Sequence, residues 1–223
     1  MTDEQKSLVT IDSSKSSIQA SQDGKDIAAF AKTVASGDYL PRLQLMTAAS
    51  DKCKTNTFPI NHYALIRDQS FIDLGMEVDV LVIAWRPKAL EIGEELISSF
   101  DSDSATFKSI QERSAARDSG CMFGPEFLMW IPDQQAFATF FMGSKSARKE
   151  APNVHGKLQN SGTLGSKLIE TKRYKWQTPI MKGCFTPFDM PDQEAMQKEV
   201  DKFLNPKESD LEVSEDTGSD RAR

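Results

Sequence analysis

Lys172, Arg173 and Lys175 surround Tyr174 and Trp176 in the stretch ETKRYKWQTPIMKG, residues 170 to 183. Flat rings offer faces on which unpaired bases stack, at roughly 1 to 3 kcal/mol each, while ammonium and guanidinium groups neutralise phosphates and release their counterions. Read as a strand, the stretch puts Lys172, Tyr174, Trp176 and Thr178 on one face and Arg173, Lys175 and Gln177 on the other. Lys182 prolongs the run of cations. Trp85-Arg86-Pro87-Lys88 offers a second ring, Trp85, with Arg86 and Lys88 as supporting contacts. The same residue types also suit a structural role, with Trp176, Tyr174 and Trp85 as core rings and the cationic side chains reaching outward to water.

Other chemistries find less material. His62 and His155 are the only histidines, and neither has a second ligand two to four residues away, so neither a metal site nor a Ser-His-Asp triad is indicated. The stretch GTLGSK departs from a phosphate loop because Lys167 follows Ser166 where the motif demands glycine. Asp73, Glu77 and Asp79 could gather near one strand, and Glu170-x-Lys172 could add a carboxylate and a lysine, which keeps a metal-dependent nuclease as an alternative. Edge-strand charges facing water are the plainer explanation. Cys53, Cys121 and Cys184 are odd in number and widely spaced, which fits reduced structural thiols and no zinc ribbon. No cofactor is expected.

These side chains need elements to position them. Residues 1–25 are rich in Ser, Gln, Asp and Lys and are expected to be disordered. Asp26 caps a short helix ending at Gly37. A first strand follows around Leu43 and Leu45, with Arg42, Gln44 and Met46 on its other face. His62 to Ile66 and Phe71 to Leu74 flank a turn at Asp68-Gln69. Met76 to Trp85 is a long β-branched run read as a central strand, with Val78, Val80, Val82 and Ala84 on one face and Glu77, Asp79, Leu81, Ile83 and Trp85 on the other. Ser102 or Asp103 caps a helix carrying Phe107 and Ile110 and stopping at Gly120. Phe127–Ile131 and Ala136–Met142 form a hairpin about Pro132-Asp133. Residues 144–167 read as a long polar, basic connection with at most one helical turn at its start. A last strand pair covers Lys167–Tyr174 and Trp176–Cys184. A short helix is expected between Pro191 and Pro206, followed by an acidic tail without fixed structure.

The domain plan is therefore a disordered segment 1–25, a binding domain 26–188, and 189–223 as short helix plus acidic tail. Short strands without a βαβ alternation indicate a mainly β, α+β chain, best matched by an OB-type five-stranded Greek-key barrel with one or two helices and disordered termini.

At 223 residues, with 39% apolar and 27% charged residues, the chain is sized for one domain with frayed ends. No apolar run is long enough for a membrane span, and the N-terminus lacks the pattern of a secretion signal, so a cytoplasmic location is expected. The net charge of −6 hides three zones. Residues 1–141 carry 13 Lys/Arg against 20 Asp/Glu, residues 142–188 carry 9 against 2, and residues 189–223 carry 5 against 11. A positive middle flanked by negative ends suits a polyanion partner that the acidic end can displace. The lysines could equally decorate loops on different sides of the fold.

With the segments LPRLQLM, VDVLVIAWRP and YKWQTPIMKG, a cationic aromatic strand and an acidic C-terminus, residues 38–223 resemble the OB-fold single-stranded-DNA-binding proteins of bacteriophages. The resemblance implies sequence-tolerant binding of single-stranded DNA, or of RNA, in phage replication or recombination within the host-cell cytoplasm. It implies no enzymatic activity, and a tail that contacts replication proteins and competes for the groove. By position, Tyr174 and Trp176 would stack on bases and Lys172, Arg173, Lys175 and Lys182 would meet phosphates. The closing GSDRAR lacks the apolar terminal residue with which such tails often dock partners. A virion or assembly protein using the basic face on a protein partner is the alternative from a different class. The sequence leaves the oligomeric state open.

Overall fold

The computed structural model describes residues 40–67, 70–93, 96–116, 119–183 and 190–206. The expected disordered segment 1–25, the helix begun by Asp26, the turn at Asp68-Gln69, Cys184 and the tail from Lys207 onward lie outside the described residues.

Among the described residues nine strands form one sheet: β1 (Arg42–Leu45), β2 (Tyr63–Arg67), β3 (Ser70–Asp73), β4 (Val78–Ile92), β5 (Leu96–Ser99), β6 (Cys121–Ile131), β7 (Ala136–Phe141), β8 (Asn160–Glu170) and β9 (Lys175–Lys182). The order is β3-β2-β1-β7-β6-β4-β8-β9, with β5 added along β4. Every pairing is antiparallel except β1 with β7. The chain is thus mainly β, as expected, but built on nine mixed strands where a five-stranded OB-type barrel was expected.

The sheet is strongly curled. β2 and β8 stand five strand-steps apart, about 24 Å in a flat sheet. Yet the Tyr63 hydroxyl on β2 donates to the carbonyl of Gly165 on β8 at 2.8 Å. A tyrosine side chain cannot bridge the flat distance, so the sheet rolls until its two wings meet over a common interior.

That interior is one apolar cluster drawn from alternate residues of the strands: Leu43 and Leu45, Tyr63 and Leu65, Val78, Val80 and Val82, Phe127, Met129 and Ile131, Ala136, Ala138 and Phe140, and Leu164. Period-two alternation made Leu43, Leu45, Val78, Val80 and Val82 legible, whereas Leu164 lies in the stretch read as a polar connection. A register shift between Val82 and Ala84 breaks the alternation in β4. One extra residue reverses which face each later side chain meets. Trp85, expected opposite Val82, therefore pairs with the buried Phe127 and rests edge-on against His155, ring centroids 5.3 Å apart.

Among the described residues four α-helices accompany the sheet: α1 (Asp51–Lys54), α2 (Ala105–Arg113), α3 (Lys145–His155) and α4 (Gln193–Leu204). Ser104 caps α2 by accepting from the Phe107 N–H, and Phe107 and Ile110 pack with Ala89 and Cys121. Gly120, expected to stop this helix, instead leads into β6 with φ 68°, while α2 ends at Arg113.

The largest departure is α3. It spans eleven residues where a polar connection with one turn was expected. Ser144 accepts from the Ala147 N–H, and Ala147, Ala151 and Val154 form a stripe that enters the core cluster. Small residues made the stripe faint in the sequence, and Pro152 argued against a helix although its ring is exposed. Helix α4 falls where expected, capped by Asp192. It buries Phe203 against Arg86 of β4, whose guanidinium lies 4.2 Å from the Phe203 ring centroid.

Candidate functional site

β8 and β9 pair from Thr163↔Lys182 to Glu170↔Lys175, whereas β4 accompanies β8 only as far as Leu164. Residues 165–180 therefore form a two-stranded arm without β4 beside it. Its turn is Thr171–Tyr174: the Thr171 N–H donates to the Tyr174 carbonyl at 2.9 Å, and the Tyr174 N–H donates to Thr171 Oγ1 at 3.1 Å. The expected strand Lys167–Tyr174 thus ends at Glu170, and Lys172 and Tyr174 belong to the turn, because the threonine side chain closes the loop on itself.

Lys172, Arg173 and Tyr174 are exposed at the tip of the arm, Tyr174 at 59%. Trp176 is 38% exposed, neither a fully enclosed core ring nor a free one. Its indole Nε1 donates to Ser146 Oγ of α3 at 3.2 Å, which fixes the ring against the helix. Ile169 is its direct cross-strand partner.

Two of the expected phosphate contacts on β9 already face carboxylates. Lys175 pairs with Glu170 at 2.7 Å and Lys182 with Glu77. Such exposed pairs are worth about 0 to 1 kcal/mol and can be exchanged for a phosphate at little cost.

Arg86 and Lys88, expected as supporting contacts, lie elsewhere. Beyond the shift in β4 they face the largely buried carboxylate of Glu126, at 2.7 and 2.6 Å. Arg86 is sandwiched between the Phe100 and Phe203 rings and donates to the Phe203 carbonyl. Burial pulls its guanidinium pKa down, and the Glu126 charge opposes that pull. Arg86, covered by α4, holds that helix to the sheet, Lys88 is paired with the same acid, and neither is placed to meet phosphate. Trp85 is 42% exposed but packs on His155 at the far end of α3.

The arm and α3 enclose an open groove of about 620 Å³, whose walls include Trp176, Ile169, Gln177, Thr47, Lys145 and Lys149. Lys145 and Lys149 are exposed and stand one turn apart on α3, hence on one face. Gln177 Oε1 is buried, with no hydrogen-bond partner among the described residues. Such an orphan costs about 1 to 3 kcal/mol. Arg148, between the two lysines in sequence, is turned inward: it donates to the Phe123 and Gly143 carbonyls and stacks on the Phe123 ring. Lys145, Lys149, Thr47 and the groove face of Gln177 were missed from the sequence. The legible signal was Ser144 three residues before Ala147.

The carboxylates considered for metal chemistry each have another partner. Asp73 accepts from the Gly75 N–H and lies 2.9 Å from His62 Nδ1, Glu77 meets Lys182, and Asp79 accepts from Thr163. No cluster of three metal-ligating side chains occurs among the described residues. No described helix is long and apolar enough to cross a membrane.

Comparison with known protein families, with curated proteins and with solved structures finds no match.

Proposed function

We propose that this chain binds single-stranded nucleic acid, DNA in the first instance, without enzymatic turnover. The observation that carries the reading is the groove beside the arm: a part-exposed indole fixed by Ser146 forms one wall, and two lysines line it. Rings that accept any base face, beside cations that follow the backbone, give sequence-tolerant binding. Tyr174 and Trp176 supply the rings, and Lys172, Arg173, Lys145 and Lys149 the cations, with Lys175 and Lys182 recruited from their pairs. The resemblance to OB-type phage proteins is carried here as one of use: a curled sheet presents a cationic, aromatic flank to a strand during replication or recombination. The acidic residues from Lys207 onward compete for that flank and contact other replication proteins.

Titration of tryptophan fluorescence with oligo-dT at two salt concentrations tests this. The expected result is quenching that Trp176→Ala removes, with affinity falling steeply as salt rises. Absence of binding at low salt would overturn it.

A second reading rests on Ile92, Leu96 and Ile97, apolar side chains exposed at the β4–β5 end of the sheet. In this reading the chain is a virion or assembly protein that docks a protein partner, and it shows a stoichiometric partner and no oligo-dT binding.

A further inference from the structure

Resting on the nucleic-acid reading, we propose that α3 is the phosphate track of the interface. Lys145 and Lys149 hold successive phosphates of a strand lying along the helix, and the base beside them stacks on Trp176. Side chains four apart on a helix stand about 6 Å from each other on one face, a separation an extended strand can match with neighbouring phosphates. Both lysines are exposed and line the groove, and neither meets a carboxylate among the described residues. On β9, by contrast, Lys175 and Lys182 are occupied by Glu170 and Glu77.

The indole is tied to the same helix, so ring and lysines keep one geometry before any ligand arrives. A preformed arrangement loses less freedom on binding than cations on a turn, which is where Lys172 and Arg173 sit. The remaining charged group in the groove is Glu150, whose carboxylate accepts from Asn153 at 3.1 Å. It opposes a phosphate, and so it limits affinity in this design. A base can lie on Trp176 only after leaving a duplex stack, so the track selects single strands.

The test is the salt dependence of oligo-dT affinity for the full chain, with thermal midpoints as a folding control. Lys145→Gln and Lys149→Gln are each expected to weaken binding about three- to tenfold at low salt and to reduce the log–log salt slope by about 0.7. Glu150→Gln is expected to tighten binding, and a duplex of equal length to compete at least about tenfold less well than the single strand. Folded Lys145→Gln and Lys149→Gln variants with the wild-type slope, alongside losses in Lys172→Gln and Arg173→Gln, would overturn the track and leave the binding reading standing. A wild-type chain that binds no single strand would overturn both.

Discussion

The Tyr63 hydroxyl donates to the Gly165 carbonyl across 2.8 Å, joining the second strand of the sheet order to the seventh. Residues 102 apart in sequence thereby close the curled sheet at the base of the arm. Burial pushes the phenol pKa far above its ordinary value, so the group stays a donor throughout the working pH range.

Tyr63→Phe keeps the ring in the core and leaves the Gly165 carbonyl without this donor. The expected cost is about 1 to 3 kcal/mol in urea unfolding, with the denaturant slope unchanged. A variant as stable as the parent would show that water supplies the missing bond.

Glu126 carries the charge balance under α4. Glu126→Gln strands Arg86 and Lys88 beside a neutral amide, at an expected cost of about 3 to 5 kcal/mol. Because Arg86 also holds the Phe203 carbonyl, amide exchange in α4 should accelerate more than in β6. Equal acceleration in both would mean that α4 is held by Phe203 alone.

Asp73 supplies an acid-sensitive contribution. Burial raises its pKa, but the Gly75 N–H and the His62 ring outweigh burial and hold it below the ordinary carboxylate range. A folded-state pKa below the unfolded one stabilises above the unfolded value, about 3.9, and that gain vanishes as pH falls through the folded value. The stability gap between wild type and Asp73→Asn should be present at pH 5 and shrink below about pH 4. A gap unchanged at about pH 2 would exclude this carboxylate as its source.

Removal of residues 207–223 takes away more acidic than basic groups. If the tail competes for the groove, the truncated chain binds oligo-dT more tightly at low salt, and the advantage fades once the Debye length falls below about 8 Å. Identical isotherms for the two chains would remove the competition.

Much of the fold was legible because its signals are local. Leu43 and Leu45 alternate on β1, Pro132-Asp133 marks the β6–β7 turn, and Asp192 opens α4. Helix α3 was not, since Ala147, Ala151 and Val154 form a narrow stripe whose value depends on a sheet curled closely enough for small side chains to fill. Whether the rings at Tyr174 and Trp176 were enclosed or exposed was left open by the sequence; Trp176 stays in a strand as expected, while Tyr174 moved into the turn that Thr171 closes.

Composition and periodicity alone settled that this chain is mainly β, that its cations concentrate between Met142 and Phe188, and that Trp176 stands among them. Tertiary structure decided which cations are tied to a buried acid and which stay exposed. A single extra residue in β4 turned Arg86 and Lys88 toward Glu126, and the curl of the sheet brought Lys145 and Lys149 beside an indole 27 or more residues away. Charge and hydropathy are properties of each residue by itself. Pairing and proximity depend on register and curvature, which arise only when distant strands meet.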